Sequence, residues 1–391
     1  MSPTLPFPES EYRLRRERVR EEMAARGVDV LLVTSPPNLL YLTGYQAIWY
    51  PPRLPVGAVL VRDSPAVVAL DWVRHEGYVR DAVLCDDAIF FEYADATAVV
   101  VDALRARGWT AGAVAIEESA ANPTAAVLNE LARGLTAAGA RVVSGDWVVD
   151  RVRLYKSEAE VERIRLAADI ADRALTRLRG ELRPGLSELE VSARAGALLA
   201  EEGSEIAATP PLVASGPDAW RDTHAFPGHR LVQPGDVISV DVCGVVDRYH
   251  ANLSRTFALG EVSPRARGML EQAAGSVDEL VRAARLGEGP EAAAEAAERY
   301  VRDRIPDEQI WWVGGYALGL ALPPSWVGHT YLANDGPQRC RLEPGYVSNF
   351  ENVLFDAEEG FAATFIETVV MTEDGLEVLS RLPRTLLDVP V

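Results

Sequence analysis

Three cysteines, a single lysine (Lys156) and an excess of acid over base, 58 against 39, mark what this 391-residue chain has little of. Cys85, Cys243 and Cys340 have no paired spacing, which excludes a disulfide framework and fits a reducing cytoplasm. The net charge of −19 argues against nucleic acid or an anionic membrane as partner, because both attract basic surfaces. No run approaches the ~18 apolar residues of a membrane span. The first twenty residues lack the apolar core of a secretory signal. The expectation is a soluble cytoplasmic protein that acts on a small molecule. The scarcity of lysine reads as compositional bias and carries no functional weight.

What is present is ordinary globular composition, 48% hydrophobic and 25% charged, over a length that suggests two domains. Ser10 to Arg26 reads as an arginine-rich helix stopped by Gly27. Val28 to Thr34, Val56 to Val61, Ala66 to Leu70 and Ala113 to Ile116 read as strands. Ala94 to Arg107 and Pro123 to Ala138 read as helices, the second capped by Asn122. Alternating strands and helices predict an α/β first domain over residues 1–153.

From residue 154 to 391 the pattern changes. Two S-x-x-E capping boxes, Ser157 with Glu160 and Ser187 with Glu190, open two helices. A strand-rich stretch runs from Ile206 to Leu259, two helices start at Pro264 and Pro290, and strands return from Val347 to Met371. This order predicts an α+β domain of antiparallel strands covered by helices. One echo stands out. LVQPGDVISVD and LEPGYVSNFE each place an acid seven residues after a proline: Asp241 after Pro234 and Glu351 after Pro344. Two half-domains facing a cleft would produce this, and so would chance, because Pro-Gly turns before strands are common.

The hairpin Asp241 to Phe257, the turn Gly315 to Leu320, the acids Glu351 and Glu367, and the segment Asn38 to Tyr45 carry a family resemblance. The second domain resembles the pita-bread fold of creatinase, Xaa-Pro aminopeptidases and prolidases. The first resembles their smaller N-terminal domain. Arg248-Tyr249-His250, Leu253 to Thr256 and Pro323 to Trp326 are similar to the metal-free creatinase-like branch that includes ectoine hydrolase. The resemblance implies a metal site in the peptidases, with two aspartates, a histidine and two glutamates. Here Asp241, Glu351 and Glu367 match three of the five positions, while Asn252 and Tyr316 replace an aspartate and the histidine. Such a set is a poor two-metal site, so no metal and no cofactor is expected.

The resemblance makes His224 the catalytic histidine, able to take and give a proton near neutral pH; the alternative is a surface loop histidine. Asp241 shares a strand face with Ser239 and Cys243. It either lines a wet cleft or pairs with Arg248 or Arg255. Glu351 and Glu367 each interrupt an apolar run, as catalytic acids or as water-facing edge residues. Together these acids suit a cationic amidine- or guanidine-type substrate, which carboxylates grip in bidentate fashion. Tyr316 either donates a phenol hydrogen bond or fills space. Asn252 and His250 are further substrate-binding candidates. Cys243 is one too, although a small buried apolar role suits it better. Trp49 and Arg53 lie in a proline-rich loop that the resemblance suggests closes a pocket in a homodimer.

The favoured function is metal-independent hydrolysis of a C–N bond in a small amidine, guanidine or amide, with cleft carboxylates and a His224 proton shuttle. The alternatives are a metal-dependent Xaa-Pro peptidase and a non-catalytic binding module.

Overall fold

The computed structural model describes residues 5–219, 224–333 and 339–391. It comprises two compact units, Met1–Arg153 and Leu154–Val391.

In the first unit the elements run α1 (Glu9–Ala25), β1 (Val30–Val33), α2 (Pro36–Thr43), β2 (Gly57–Val61), β3 (Val67–Trp72), α3 (Glu76–Ala82) and β4 (Asp87–Phe91). They continue with α4 (Ala96–Ala106), β5 (Ala113–Ile116), α5 (Ala125–Ala137), β6 (Arg141–Ser144) and α6 (Val148–Leu154). The strands form one mixed sheet in the order β4-β3-β2-β1-β5-β6. The central strands β1 and β5 read VLLV and AVAI and are buried throughout, as a sheet covered on both faces requires. Helix α5 starts two residues later than the Asn122–Pro123 signal predicts, with Thr124 in extended backbone preceding it.

The second unit opens with α7 (Glu158–Glu181) and α8 (Glu188–Glu201), each started by the expected reciprocal capping box. Strands β7 (Leu212–Ser215), β8 (Val237–Val246) and β9 (Tyr249–Leu259) precede α9 (Pro264–Ala283) and α10 (Glu291–Arg302). Then come β10 (Ile310–Gly314), β11 (Val347–Asp356), β12 (Phe361–Thr372), β13 (Gly375–Val378) and β14 (Leu387–Val389). The main path is β10-β11-β12-β9-β8-β7, antiparallel throughout. Strand β13 adds to β12. Strand β14 pairs in parallel with the last residues of β9, beyond the point where β12 pairs with it.

Two devices fix the register that the site depends on. Asp247 and Arg248, at φ 50° and 66°, make the two-residue turn that joins β8 to β9. At Gly244 a Cβ would stand 1.9 Å from the Ala167 carbonyl oxygen, so only glycine lets α7 lie this close to β8. No described helix is long and apolar enough to cross a membrane.

Candidate active site

The β8–β9 turn sets Asp241 opposite Ser254 and Cys243 opposite Asn252. On the other half of the sheet β11 and β12 pair Glu351 with Ile366 and Val353 with Thr364. The two hairpins join where Ile366 meets Ser254. Directly paired residues share a sheet face, and faces alternate along a strand. One face therefore carries Ser239, Asp241, Ser254, Ile366, Thr364, Glu351 and Val353. These residues, with Leu212, Ala214 and His224, line a narrow open cleft. His224 is exposed at its edge, its ring packed edge-on against Trp311 at 5.1 Å between centroids. Residues 220–223, just before His224, lie outside the described residues.

Amides tie the two acids together. Asn252 donates from Nδ2 to Asp241 Oδ1 at 2.6 Å and to the Val242 carbonyl at 3.2 Å. Asn349 donates from Nδ2 to Asn252 Oδ1 at 3.1 Å and to Glu351 Oε1 at 2.9 Å. Its own Oδ1 accepts the Tyr316 backbone N–H at 2.8 Å. The Tyr316 hydroxyl accepts the Trp326 indole N–H at 3.1 Å. Burial, reinforced by the Glu351 charge, holds Asp241 well above the usual carboxylate range. Burial likewise pushes Glu351 up to about 7, against the opposing hydrogen bonds of Asn349 and Tyr316. The Ser254 and Thr364 hydroxyls are buried on the cleft face without a hydrogen-bond partner in the protein.

The structure corrects the expected acid cluster. Glu367 sits next to Ile366 on β12 and therefore on the opposite face, opposite Phe350. There it is fully buried and ion-paired with Arg255 at 2.7 Å, beside Ser380, which Arg255 also contacts. Arg255 is thus the partner of Glu367, and Asp241 is partnered by an amide. The residue facing Glu351 across the strands is Ile366, so three of the five positions marked by the resemblance lack a ligand.

His250 is corrected too. It is fully buried and outside the cleft. Its Nδ1 donates to the Arg248 carbonyl and its Nε2 accepts the Ala208 N–H. Burial and the Arg248 charge lower it to about 3, so the ring is a neutral internal brace. Cys243 and Asn252 share the cleft face but are buried and do not line the cleft, and burial raises the Cys243 thiol well above its ordinary range. Trp49 and Arg53 are exposed in the loop between α2 and β2 of the first unit.

Sequence reasoning missed Asn349, Ser254 and Thr364. Asn349 and Ser254 each stand two residues from a position already singled out, Glu351 and Asn252, which on a strand means the same face. The donor set does not suit a divalent metal. Asn252 turns its amino group, not its oxygen, to Asp241; a tyrosine fills another position, and Glu367 at the fifth faces away from the cleft. Among the described residues no group of three His, Cys, Asp or Glu side chains stands together to hold a metal ion.

The model of metallopeptidase family M24 matches residues 162–373, and that of the creatinase/prolidase N-terminal domain matches residues 15–155. Ectoine hydrolase of Halomonas elongata is 26% identical, with 98% of each chain covered. A dipeptidase of Pyrococcus horikoshii superposes at a TM-score of 0.83 and 22% identity, covering 96% of this chain and 99% of its own. Dipeptidase PepE of Mycobacterium ulcerans gives 0.82 and 24%, covering 98% and 100%. These likenesses show the fold, a creatinase-like N-terminal domain followed by the curled sheet of a pita-bread domain.

Proposed function

The chain belongs to metallopeptidase family M24, a hydrolase fold, and on that premise we propose that it hydrolyses a C–N bond in a small cationic amidine, guanidine or amide without a metal. The observation that carries this reading is the cleft chemistry: His224 and two raised carboxyl groups border one cleft, while of the five metal positions one holds an amide, one a phenol, and the glutamate at a third faces away.

The roles follow from protonation. Glu351, near 7, is the group able to take a proton from water at neutral pH. Asp241, also held well above the usual carboxylate range, is the group that hydrogen-bonds the substrate. Water oxygen forms the new bond to the substrate carbon as Glu351 accepts its proton. The C–N bond then breaks as that proton passes by way of His224 to the departing nitrogen, which returns both side chains to their starting states.

Polarity narrows the substrate. The unpartnered Ser254 and Thr364 hydroxyls offer hydrogen bonds, and Ile366 and Val353 supply an apolar wall. Beyond Trp311 a groove of about 410 Å³ presents Glu291, Glu295 and Glu298 against a single base, Arg302, with Trp311, Trp312 and Tyr331, a lining that favours positive charge.

The test is turnover of a panel of small cyclic amidines, guanidines and amides by chelator-treated protein. Activity should survive chelation and fall by about 10²–10⁴ in His224→Ala. Turnover abolished by chelator and restored by manganese or cobalt would favour the Xaa-Pro peptidase reading instead.

A further inference from the structure

Backbone groups orient both amides of the chain: the Val242 carbonyl takes the Asn252 amino group, and the Tyr316 N–H fixes Asn349. Its Oδ1 accepts the Tyr316 backbone N–H, a group that can only donate. Its amino group must therefore point the other way, toward Asn252 Oδ1 and Glu351 Oε1. With that oxygen occupied, Asn252 in turn presents its own amino group to Asp241 Oδ1. One oxygen each of Asp241, Asn252 and Glu351, the groups a cation in this part of the cleft would use, faces an amide proton. Asn349 is fully buried, so water does not compete for these bonds.

We infer that Asn349 is the residue that keeps divalent cations out of this cleft. The inference rests on the metal-free reading above and says which side chain enforces it. A divalent ion needs oxygens at about 2.0–2.6 Å and no hydrogen between. To admit one, Asn349 would have to turn, placing its amino group against the Tyr316 N–H and releasing Asn252. The amide protons meanwhile supply the positive potential that lets two carboxyl groups share the site. Asn349 is a positioning residue in this role, acting through Asn252 and Glu351.

The experiment is titration of the full chain, freed of metal by chelator, with Mn²⁺ by calorimetry, alongside thermal melts. Wild-type protein should show no binding up to about 1 mM. Asn349→Asp replaces the donor by an acceptor and should bind about one Mn²⁺ per chain at least tenfold more tightly than wild type, with a rise in Tm on adding the ion. Asn349→Ala frees the same oxygens and should gain weaker binding; it decides the matter if the aspartate variant does not fold. The gain should disappear when Glu351→Gln is added. Folded Asn349 variants that bind Mn²⁺ no better than a metal-free wild type would overturn this inference alone. Stoichiometric Mn²⁺ on the wild type would overturn the metal-free reading beneath it.

Discussion

Glu351 and Glu367 lie on adjacent strands of one sheet, both buried, both interrupting an apolar run, and they differ in face by a single register step. Glu351 faces the cleft and is held by an asparagine amide. Glu367 faces the other way and is held by Arg255, whose guanidinium also stacks 4.7 Å from the centre of the Phe365 ring. Burial raises both carboxyl groups to about 7, opposed at Glu351 by neutral hydrogen-bond donors and at Glu367 by the Arg255 charge. The guanidinium ties Glu367 into the core. The difference teaches that burial identifies a costly acid, and the sheet face it stands on decides whether it meets a substrate in the cleft or an ion-pair partner in the core.

The largest expected effects separate the two acids cleanly. Glu351→Gln keeps the Asn349 hydrogen bond but removes the proton acceptor, so turnover should fall by about 10²–10⁴ with little loss of stability. Glu367→Gln should do the reverse. It leaves Arg255 buried without a counter-charge, at a cost of about 3–5 kcal/mol in urea melts, while turnover per folded molecule stays within a few-fold. A folded Glu367→Gln protein as inactive as Glu351→Gln would break the comparison and return Glu367 to the catalytic set.

Stability against pH comes next. Glu351 is raised from 4.5 to about 7 in the folded chain, so the folded state holds its proton more tightly than the unfolded state does. That stabilisation is complete below pH 4.5 and is lost as pH rises through 7, a change of about 3 kcal/mol. Activity runs in the opposite sense, because the base must be ionised. Glu351→Gln should therefore flatten this part of the stability profile and leave the variant more stable than wild type above pH 7. Asp241 contributes a slope of the same sign. Parallel wild-type and variant profiles between pH 5 and 8 would show that Glu351 does not titrate in this window.

Much of this site is legible in the sequence, and what is not has an identifiable cause. The capping boxes at Ser157 and Ser187 act within four residues, so a local pattern suffices. The proline-to-acid spacing led to Asp241 and Glu351, and both line the cleft. Strand alternation placed Ser239 and Asp241 on that face. The face of Glu367 depends on how β12 pairs with β11, a register set by the Asp356–Phe361 closure rather than by any local motif. His250 needed knowledge of the 205–208 segment that seals it, forty residues away. Asn349 was invisible for a chemical reason: an amide resembles neither an acid, a base nor a nucleophile. Helix α2 left signals that passed unread, prolines in its first turn and Gly44 at φ 72° after its last.

The smallest effect offers the finest test of the contrast between neutral and charged partners. The Trp326 indole donates to the Tyr316 hydroxyl at 3.1 Å, which leaves the phenol proton to be given elsewhere, and Tyr316 hydrogen-bonds Glu351 and opposes its upward shift. Trp326→Phe keeps an aromatic ring in this buried position and deletes only the donor. One hydrogen bond of this kind contributes about 0.5–1.5 kcal/mol, so stability should fall by that much and turnover by no more than about tenfold. The informative quantity is the pH at which activity is half-maximal. If Glu351 is governed by neutral donors, loosening Tyr316 raises that midpoint, while the Arg255–Glu367 pair on the opposite face is untouched. A midpoint that stays put while Tm drops would mean that Trp326 only packs, and that Glu351 does not depend on the phenol for its proton affinity.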